Sequence, residues 1–343
     1  MSDQAGRVAV VTGGGRGLGR AIALGLAGRG AHVAVVARHP EQLAETVALG
    51  AAAGGSMEAI PCDVADAAAV GRLKLAVTER LGTPTILVNA AGTFGPIALI
   101  KDVDPIEWQR TVMVDAVAPF FTCQAFVGGM LDEGWGRIVN ITSAASLHPP
   151  GALNSAYGVA KVALNQLTRH LAAEIAGSGV TANVIHPGDV KTDMWADIRD
   201  RVAGMGAVAE NYISWADWVE ETGGDPPEKA VDLVLRLTSD AGGETNGMFC
   251  WIDEPLQPPI TSWDAPSDDR PWRQDSPLAL AAKADSGITG TQPGRWGARP
   301  AGGPPRRGRA TSGATSPPRG WRSHQAPPTA PSWPTAQARA RRA

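Results

Sequence analysis

The stretch RVAVVTGGGRGLGRAIALGLAGRG, residues 7–30, decides the fold. Its first part, RVAVVT, is an apolar, β-branched run of strand length, and its last part carries apolar residues at helical spacing. Between them lies a glycine-rich turn. A strand that enters such a turn and leaves it as a helix aims backbone N–H groups and the positive end of the helix dipole at whatever sits above the turn. Gly13, Gly17 and Gly19, with Leu18 between the last two, therefore form a cradle for a dinucleotide pyrophosphate. The spacing is T-G-x-x-x-G-x-G rather than G-x-G-x-x-G. The second apolar run, HVAVVAR (32–38), ends in Ala37 and Arg38, where an NAD-selective site places an acid for the ribose hydroxyls. Arg38 and Arg16 together offer two guanidinium groups to a 2′-phosphate. NADP(H) is thus the preferred cofactor; NAD(H) is admitted if both arginines are merely solvated.

The same alternation continues along the chain. Strand-like runs recur as MEAIPCDV (57–64), TILVN (85–89), RIVNITS (137–143), VTANVIH (180–186) and GMFCWI (247–252), separated by segments of helical period such as 67–81, 105–131 and 155–177. Seven strands joined by links long enough for right-handed crossovers specify an α/β fold, a three-layer doubly wound parallel sheet. One domain over residues 1–267 accommodates it.

Composition narrows the setting. Of 343 residues 43% are hydrophobic, ordinary for a chain with a buried core. Cys62, Cys123 and Cys250 are far apart and have no metal-ligand spacing, which fits a reducing cytoplasm. The N-terminus enters a strand without a basic leader, and no uninterrupted apolar run spans a bilayer, so a soluble, cytoplasmic protein with no membrane partner is expected. Residues 1–264 hold 18 Lys and Arg against 30 Asp and Glu, a balance of −12; residues 265–343 hold 13 against 4, a balance of +9. The segment 268–343 is rich in Pro, Gly, Arg and Ala and is expected to be a disordered tail, either solvated or translated past a shifted reading frame. Nucleic acid is not an expected partner, since the tail alone is basic. His148 and His186 lack companions at metal or triad spacing, and no metal is expected.

With TGGGRGLG, VNAAG (88–92), ITS (141–143), YGVAK (157–161) and HPGDVKT (186–192) in this order, residues 7–256 resemble the short-chain dehydrogenase/reductase family. The resemblance implies a Rossmann-type seven-stranded sheet and hydride transfer between a nicotinamide cofactor and a carbonyl or alcohol carbon. It makes Tyr157 the general acid or base, Lys161 the cation that lowers its pKa and holds the nicotinamide ribose, and Ser143 the donor to the substrate oxygen; Thr142 is the structural alternative to Ser143. An ammonium about 4 Å from a phenol contributes roughly 4 kcal/mol at moderate effective dielectric, enough for that task. Asp63 would receive the adenine amino group, with Val64 over the ring. Asn89, Ala90 and Gly92 would close over the adenosine ribose, and Pro187, Gly188, Val190 and Thr192 would meet the carboxamide or a phosphate. The bland readings are that Asp63 caps a helix and that Pro187 and Gly188 merely turn the chain.

One position departs from the family pattern. VMVDAVAPFF (112–121) aligns Asp115 with a family asparagine that helps hold a water linking the lysine to a proton path. A carboxylate there lies near Lys161 and implies a shifted pH optimum, and Pro119 is expected to kink the helix. Residues 191–229 are the expected lid over the substrate, with Trp195, Met205, Tyr212, Trp215 and Trp218 as an aromatic wall or as ordinary packing. The expected substrate is a small carbonyl or secondary alcohol compound, and the expected assembly a homo-oligomer, tetramer or dimer. The alternatives are a 3-oxoacyl-carrier-protein reductase and a cofactor-binding regulator without catalysis.

Overall fold

The computed structural model describes residues 4–147 and 151–252. The expected tail, 268–343, and His148 lie outside the described residues. The strands are β1 (Val8–Thr12), β2 (His32–Ala37), β3 (Ser56–Pro61), β4 (Ile86–Asn89), β5 (Gly136–Ile141), β6 (Val180–His186) and β7 (Phe249–Trp251). All six neighbouring pairs run parallel, in the order β3-β2-β1-β4-β5-β6-β7. A parallel sheet is covered on both faces, so its strands read as continuous apolar runs. In β1 the alternation is still visible in the packing. Val8 and Val10 join one core, and Ala9 and Val11 the other.

The first core lies under α3 (Ala67–Leu81) and the long helical run that passes from α4 (Pro105–Val112) through a π turn (Met113–Val117) into α5 (Ala118–Asp132); Leu73, Val77, Phe126 and Met130 fill it. The second lies under α1 (Gly17–Gly28) and α9 (Pro227–Leu237), with Ile22, Leu26, Leu233 and Val234. Flanking elements are α2 (Pro40–Ala52), α6 (Ser155–Glu174), α7 (Asp193–Val202) and α8 (Glu210–Thr222). Local chemistry sets the ends. Pro40 and Pro105 occupy first-turn positions that need no N–H, Asp104 accepts from the Ile106 N–H at 2.7 Å, and Gly223 closes α8 in the left-handed region.

The run Pro105–Asp132 corrects one expectation: at 28 residues it is long and apolar enough, by length and composition, to cross a membrane. Here it covers the sheet, with Phe126 and Met130 buried in the first core. At Pro119, where a kink was expected, the run carries a π turn just before the proline. Pro119 has no N–H to donate to the Asp115 carbonyl four residues back, and the chain answers with a π turn whose Ala118 N–H reaches Met113.

A buried polar line crosses the middle of the sheet. Thr122 donates to Asn89 Oδ1 (2.7 Å), Asn89 Nδ2 donates to Asn140 Oδ1 (2.8 Å), and Asn140 Nδ2 donates to Thr168 Oγ1 (2.7 Å). It ties α5, β4, β5 and α6 into one register. Asn140→Ala removes two buried hydrogen bonds and leaves Asn89 Nδ2 only the Cys123 sulfur at 3.6 Å, so it is expected to cost about 3 kcal/mol and to lower Tm by roughly 5 to 10 °C in a thermal melt of the full chain.

Candidate active site

The sheet order reverses direction between β1 and β4, and in open α/β sheets that point opens a crevice at the strand ends. A cavity of about 500 Å³ lies there, walled by the glycine loop, the end of β2, the loops after β4 and β5, the start of α6 and the lid. That is the size of a small-ligand pocket.

At its outer end, α1 starts at Gly17 with no capping side chain and no acid in its first turn, whereas Asp66, Asp104 and Thr192 cap α3, α4 and α7. Its first N–H groups therefore face the crevice without a side-chain partner. Gly13 has φ +69°, and a Cβ there would lie 2.7 Å from the Ala90 carbonyl oxygen. A Cβ on Gly19 would collide with the Gly13 carbonyl. Thr12 Oγ1 braces the two loops by accepting from the N–H groups of Ala90 (3.1 Å) and Ala91 (3.2 Å). Arg16, Leu18, Arg38, Val64, Ala90 and Gly92 border this end, with Pro187, Gly188, Val190 and Thr192 opposite. An uncapped helix start, a cradle that a Cβ would fill and two arginines fit a phosphate-bearing dinucleotide.

Two expected contacts fall elsewhere, and a third residue is paired within the protein. Asn89 is 3% exposed and spent on the buried line under the sheet, because its register on β4 points it at Asn140 and Thr122. Asp63 is exposed and folds back to accept from the Ala65 N–H at 3.1 Å, while Asp66 takes the capping role. Arg16 is paired with Asp193 at 3.0 Å, so only Arg38 of the two arginines has no hydrogen-bond or ion-pair partner among the described residues. Thr192 accepts from the Trp195 N–H at 3.4 Å.

At the inner end, α6 carries Tyr157 and Lys161 one turn apart, as i, i+4 spacing demands. Lys161 Nζ is 5.3 Å from the Tyr157 ring centroid, donates to the Ile141 carbonyl at 3.1 Å, and lies 3.2 Å from Asp115 Oδ2. Lys161 is 5% and Asp115 0% exposed. The other Asp115 oxygen accepts from the Thr93 N–H at 2.8 Å, which fixes the loop after β4. Burial pulls the Lys161 ammonium down, but Asp115 and then Tyr157 outweigh it and hold the amine charged. The phenol behaves differently from the expectation of a lowered pKa. Burial raises Tyr157, Lys161 opposes that, Asp115 adds to it, and a hydrogen bond with Ser143 lowers it; the net direction is upward. Burial is the larger cause, and Asp115 adds to it against the cation that would acidify the phenol.

Ser143 is half-buried beside Tyr157 at the end of β5, and its hydroxyl accepts from the Ala145 N–H at 3.2 Å. Thr142 donates to Asn165 at 2.6 Å; Asn165 donates to Ser146 at 2.8 Å, and Ser146 to the Ser143 carbonyl at 2.6 Å. Thr142 is thus the bracing residue. Asn165 escaped the sequence reading, although Tyr157, Lys161 and Asn165 at i, i+4 and i+8 share a helix face. His186, read in the sequence as neither a metal ligand nor a triad member, lines the cavity. Its Nδ1 accepts from the Ala144 N–H at 3.2 Å, and no group of metal-binding side chains exists among the described residues. Of the expected aromatic wall, Tyr212 and Trp215 border the cavity, as does Trp195, whose ring is held between Lys191 and Arg199; Trp218 is 47% exposed and Met205 packs behind. Phe94, 4.9 Å from the Tyr157 ring, completes the wall.

A doubly wound parallel sheet with a dinucleotide crevice and a Ser, Tyr and Lys grouping at its inner end defines a class of nicotinamide-dependent oxidoreductase. A family model described as short chain dehydrogenase matches residues 7–203. The chain is 35% identical over 239 residues to a 2,3-dihydro-2,3-dihydroxybenzoate dehydrogenase of Bacillus subtilis, covering 69% of this chain and 91% of that one. It is 36% identical to a rhamnolipid-biosynthesis 3-oxoacyl-[acyl-carrier-protein] reductase of Pseudomonas aeruginosa, covering 73% and 95%. Among solved structures, an actinorhodin polyketide ketoreductase variant with NADPH superposes with a TM-score of 0.67 at 28% identity, covering 73% and 96%. The chain belongs to the short-chain dehydrogenase/reductase family and is an NAD(P)-dependent oxidoreductase.

The chain has two tyrosines, so ultraviolet titration of phenolate follows Tyr157 cleanly once Tyr212 is replaced by Phe. Asp115 raises Tyr157, and in that background Asp115→Asn is expected to move the phenolate transition to lower pH. An unmoved transition would show that the carboxylate has no hold on the phenol.

Proposed function

We propose that the protein is an NADP(H)-dependent carbonyl reductase or secondary-alcohol dehydrogenase in which Tyr157 is the general acid and base. The observation that carries this reading is the placement of Tyr157, Lys161 and Ser143 at the inner end of a crevice whose outer end fits a dinucleotide. A bound nicotinamide supplies the hydride for reduction, or accepts it in oxidation. The Tyr157 hydroxyl donates its proton to the carbonyl oxygen, and Ser143 donates a hydrogen bond to the same oxygen as charge builds there. Lys161 keeps its charge beside the phenol and has donors left for a ribose hydroxyl. Gly17, Leu18 and Gly19 would hold the pyrophosphate by their N–H groups.

NADP(H) is preferred because Arg38 stands unpartnered at the end of β2, where Ala37 replaces the usual acid. Arg16 joins it by leaving Asp193, and an exposed pair of this kind holds by about 1 kcal/mol or less. A homo-oligomer belongs to the same proposal. Met113 and Phe120 on the long helical run and Val159 and Val162 on α6 are large apolar side chains left exposed on helices that pack together, as a covered face requires. The described cysteines are free thiols, in keeping with a cytoplasmic location.

Fluorescence titration with NADPH and NADH, followed by turnover on a ketone panel, tests the reading. Tyr157→Phe is expected to keep NADPH binding and lose roughly 10³-fold in kcat, and Arg38→Ala to weaken NADPH about tenfold while leaving NADH unchanged. Tight NADPH binding with no turnover on any substrate would instead establish a regulator.

A further inference from the structure

We propose that the substrate is an uncharged ketone carried on a ring system and taken up free, not an acid and not an acyl group tethered to a carrier protein. The inference rests on the hydride-transfer reading above and concerns the inner half of the same cavity.

The wall facing Tyr157 is aromatic and fixed in place. The Phe94 ring lies 4.9 Å from Tyr157 at 35° and meets Tyr212 edge-on at 5.8 Å and 83°. Trp215 closes the next side, its indole N–H donating to Asp189 Oδ1 at 3.0 Å, and Met194 and Ile198 complete the lining. Leu153 packs behind Phe94 with φ +77°, a left-handed conformation that a branched side chain rarely adopts. It is held there while its carbonyl accepts from the Ala98 N–H at 3.0 Å. Strain of this kind gathers where a pocket is shaped in advance. Rings prefer such offset and edge contacts, which flexible acyl chains cannot use.

Charge excludes the alternatives. Lys161 is neutralised by Asp115 at 3.2 Å, and Arg201 is taken by Asp197 at 3.0 Å and by the Gly95 carbonyl at 2.9 Å. Of the polar side chains beside the wall, Asn154 and Asn211 are neutral and Asp189 is acidic, while Lys191 and Arg199, 5.0 and 4.8 Å from the Trp195 ring, are both paired with Glu220. A substrate carboxylate would lose its water with no unpaired cation beside this wall, among the described residues, to replace it. The segment 191–229, part of which lines the cavity, carries four Lys and Arg against nine Asp and Glu. Glu210, Asp217, Glu221 and Glu228 are exposed and make no ion pair among the described residues. An acidic carrier protein or the phosphates of coenzyme A would meet like charge there. In the reaction the carbonyl carbon gains a hydride with its electron pair and the oxygen gains the Tyr157 proton. The ketone is reduced to a secondary alcohol, the nicotinamide is oxidised, and solvent reprotonates the phenol.

The test compares, with NADPH and the full chain, 2-tetralone, methyl benzoylformate, benzoylformate, butane-2,3-dione, and acetoacetyl groups on coenzyme A and on an acyl-carrier protein. The ester is expected to exceed its acid at least tenfold in kcat/KM, and 2-tetralone to exceed both thioesters by as much. Tyr212→Ala is expected to raise KM for 2-tetralone roughly tenfold more than it raises KM for butane-2,3-dione; if that variant does not fold, Tyr212→Leu, which keeps bulk and loses the ring, replaces it. Equal rates on acid and ester, faster thioesters, or an unmoved KM in the folded variant would overturn the proposal while leaving hydride transfer standing. No turnover on any compound would bring down both.

Discussion

A buried ammonium group organises the inner half of this protein. Lys161 sits 5% exposed on a helix that packs against the sheet, and a charge withdrawn from water must be compensated at once. The compensation comes from three directions: the Ile141 carbonyl where β5 ends, the Asp115 carboxylate from the π turn, and the Tyr157 ring one turn earlier on α6. Each partner belongs to a different segment. Satisfying one cation therefore fixes the end of β5, the π turn in the long helical run and the rotation of α6 relative to each other. Asp115 then passes the constraint on, because its second oxygen holds Thr93 and with it the loop that carries Phe94.

The outer half obeys a different constraint, the close approach of two loops at the point where the sheet order reverses. Backbone contact between the turns after β1 and β4 leaves no room for a Cβ at Gly13, and the Thr12 hydroxyl locks the pair. Helix α1 is then left uncapped above a crevice, a costly end unless an anion completes it. The two halves meet through the polar line Thr122, Asn89, Asn140 and Thr168, which runs under both and keeps α5 and α6 in register with β4 and β5.

The strands and the glycine loop were legible in the sequence because they depend on local pattern: continuous apolar runs for a sheet covered on both faces, glycines where backbones touch. Tyr157 and Lys161 were legible because helical spacing puts them together. Asn89 was misread because its role depends on which way a strand residue faces at its very end, and the run TILVN does not say. Asp63 and Asp66 lie three residues apart ahead of the same helix, and local chemistry alone does not choose which of them caps it. Arg16 was placed toward a 2′-phosphate, yet its partner Asp193 lies 177 residues away and only the folded lid brings them together. Phe94 and Asn165 were missed for the same reason: each acts through neighbours from distant segments.

The raised phenol follows from these constraints and shapes the chemistry open to the site. A carboxylate in the asparagine position makes the lysine easier to bury and keeps it charged, but it spends on Asp115 part of the field that would have acidified Tyr157. A phenol held above its ordinary range stays protonated across neutral pH, the form that protonates a carbonyl oxygen, while the phenolate that alcohol oxidation requires forms at higher pH. General acid catalysis weakens as the donor's pKa climbs away from working pH, so the arrangement is workable because Ser143 and Lys161 still pull in the other direction. The direction of the phenol's shift is a balance of four contributions, burial and Asp115 raising it and Lys161 and Ser143 lowering it, and of these Asp115 is the one the family pattern did not supply.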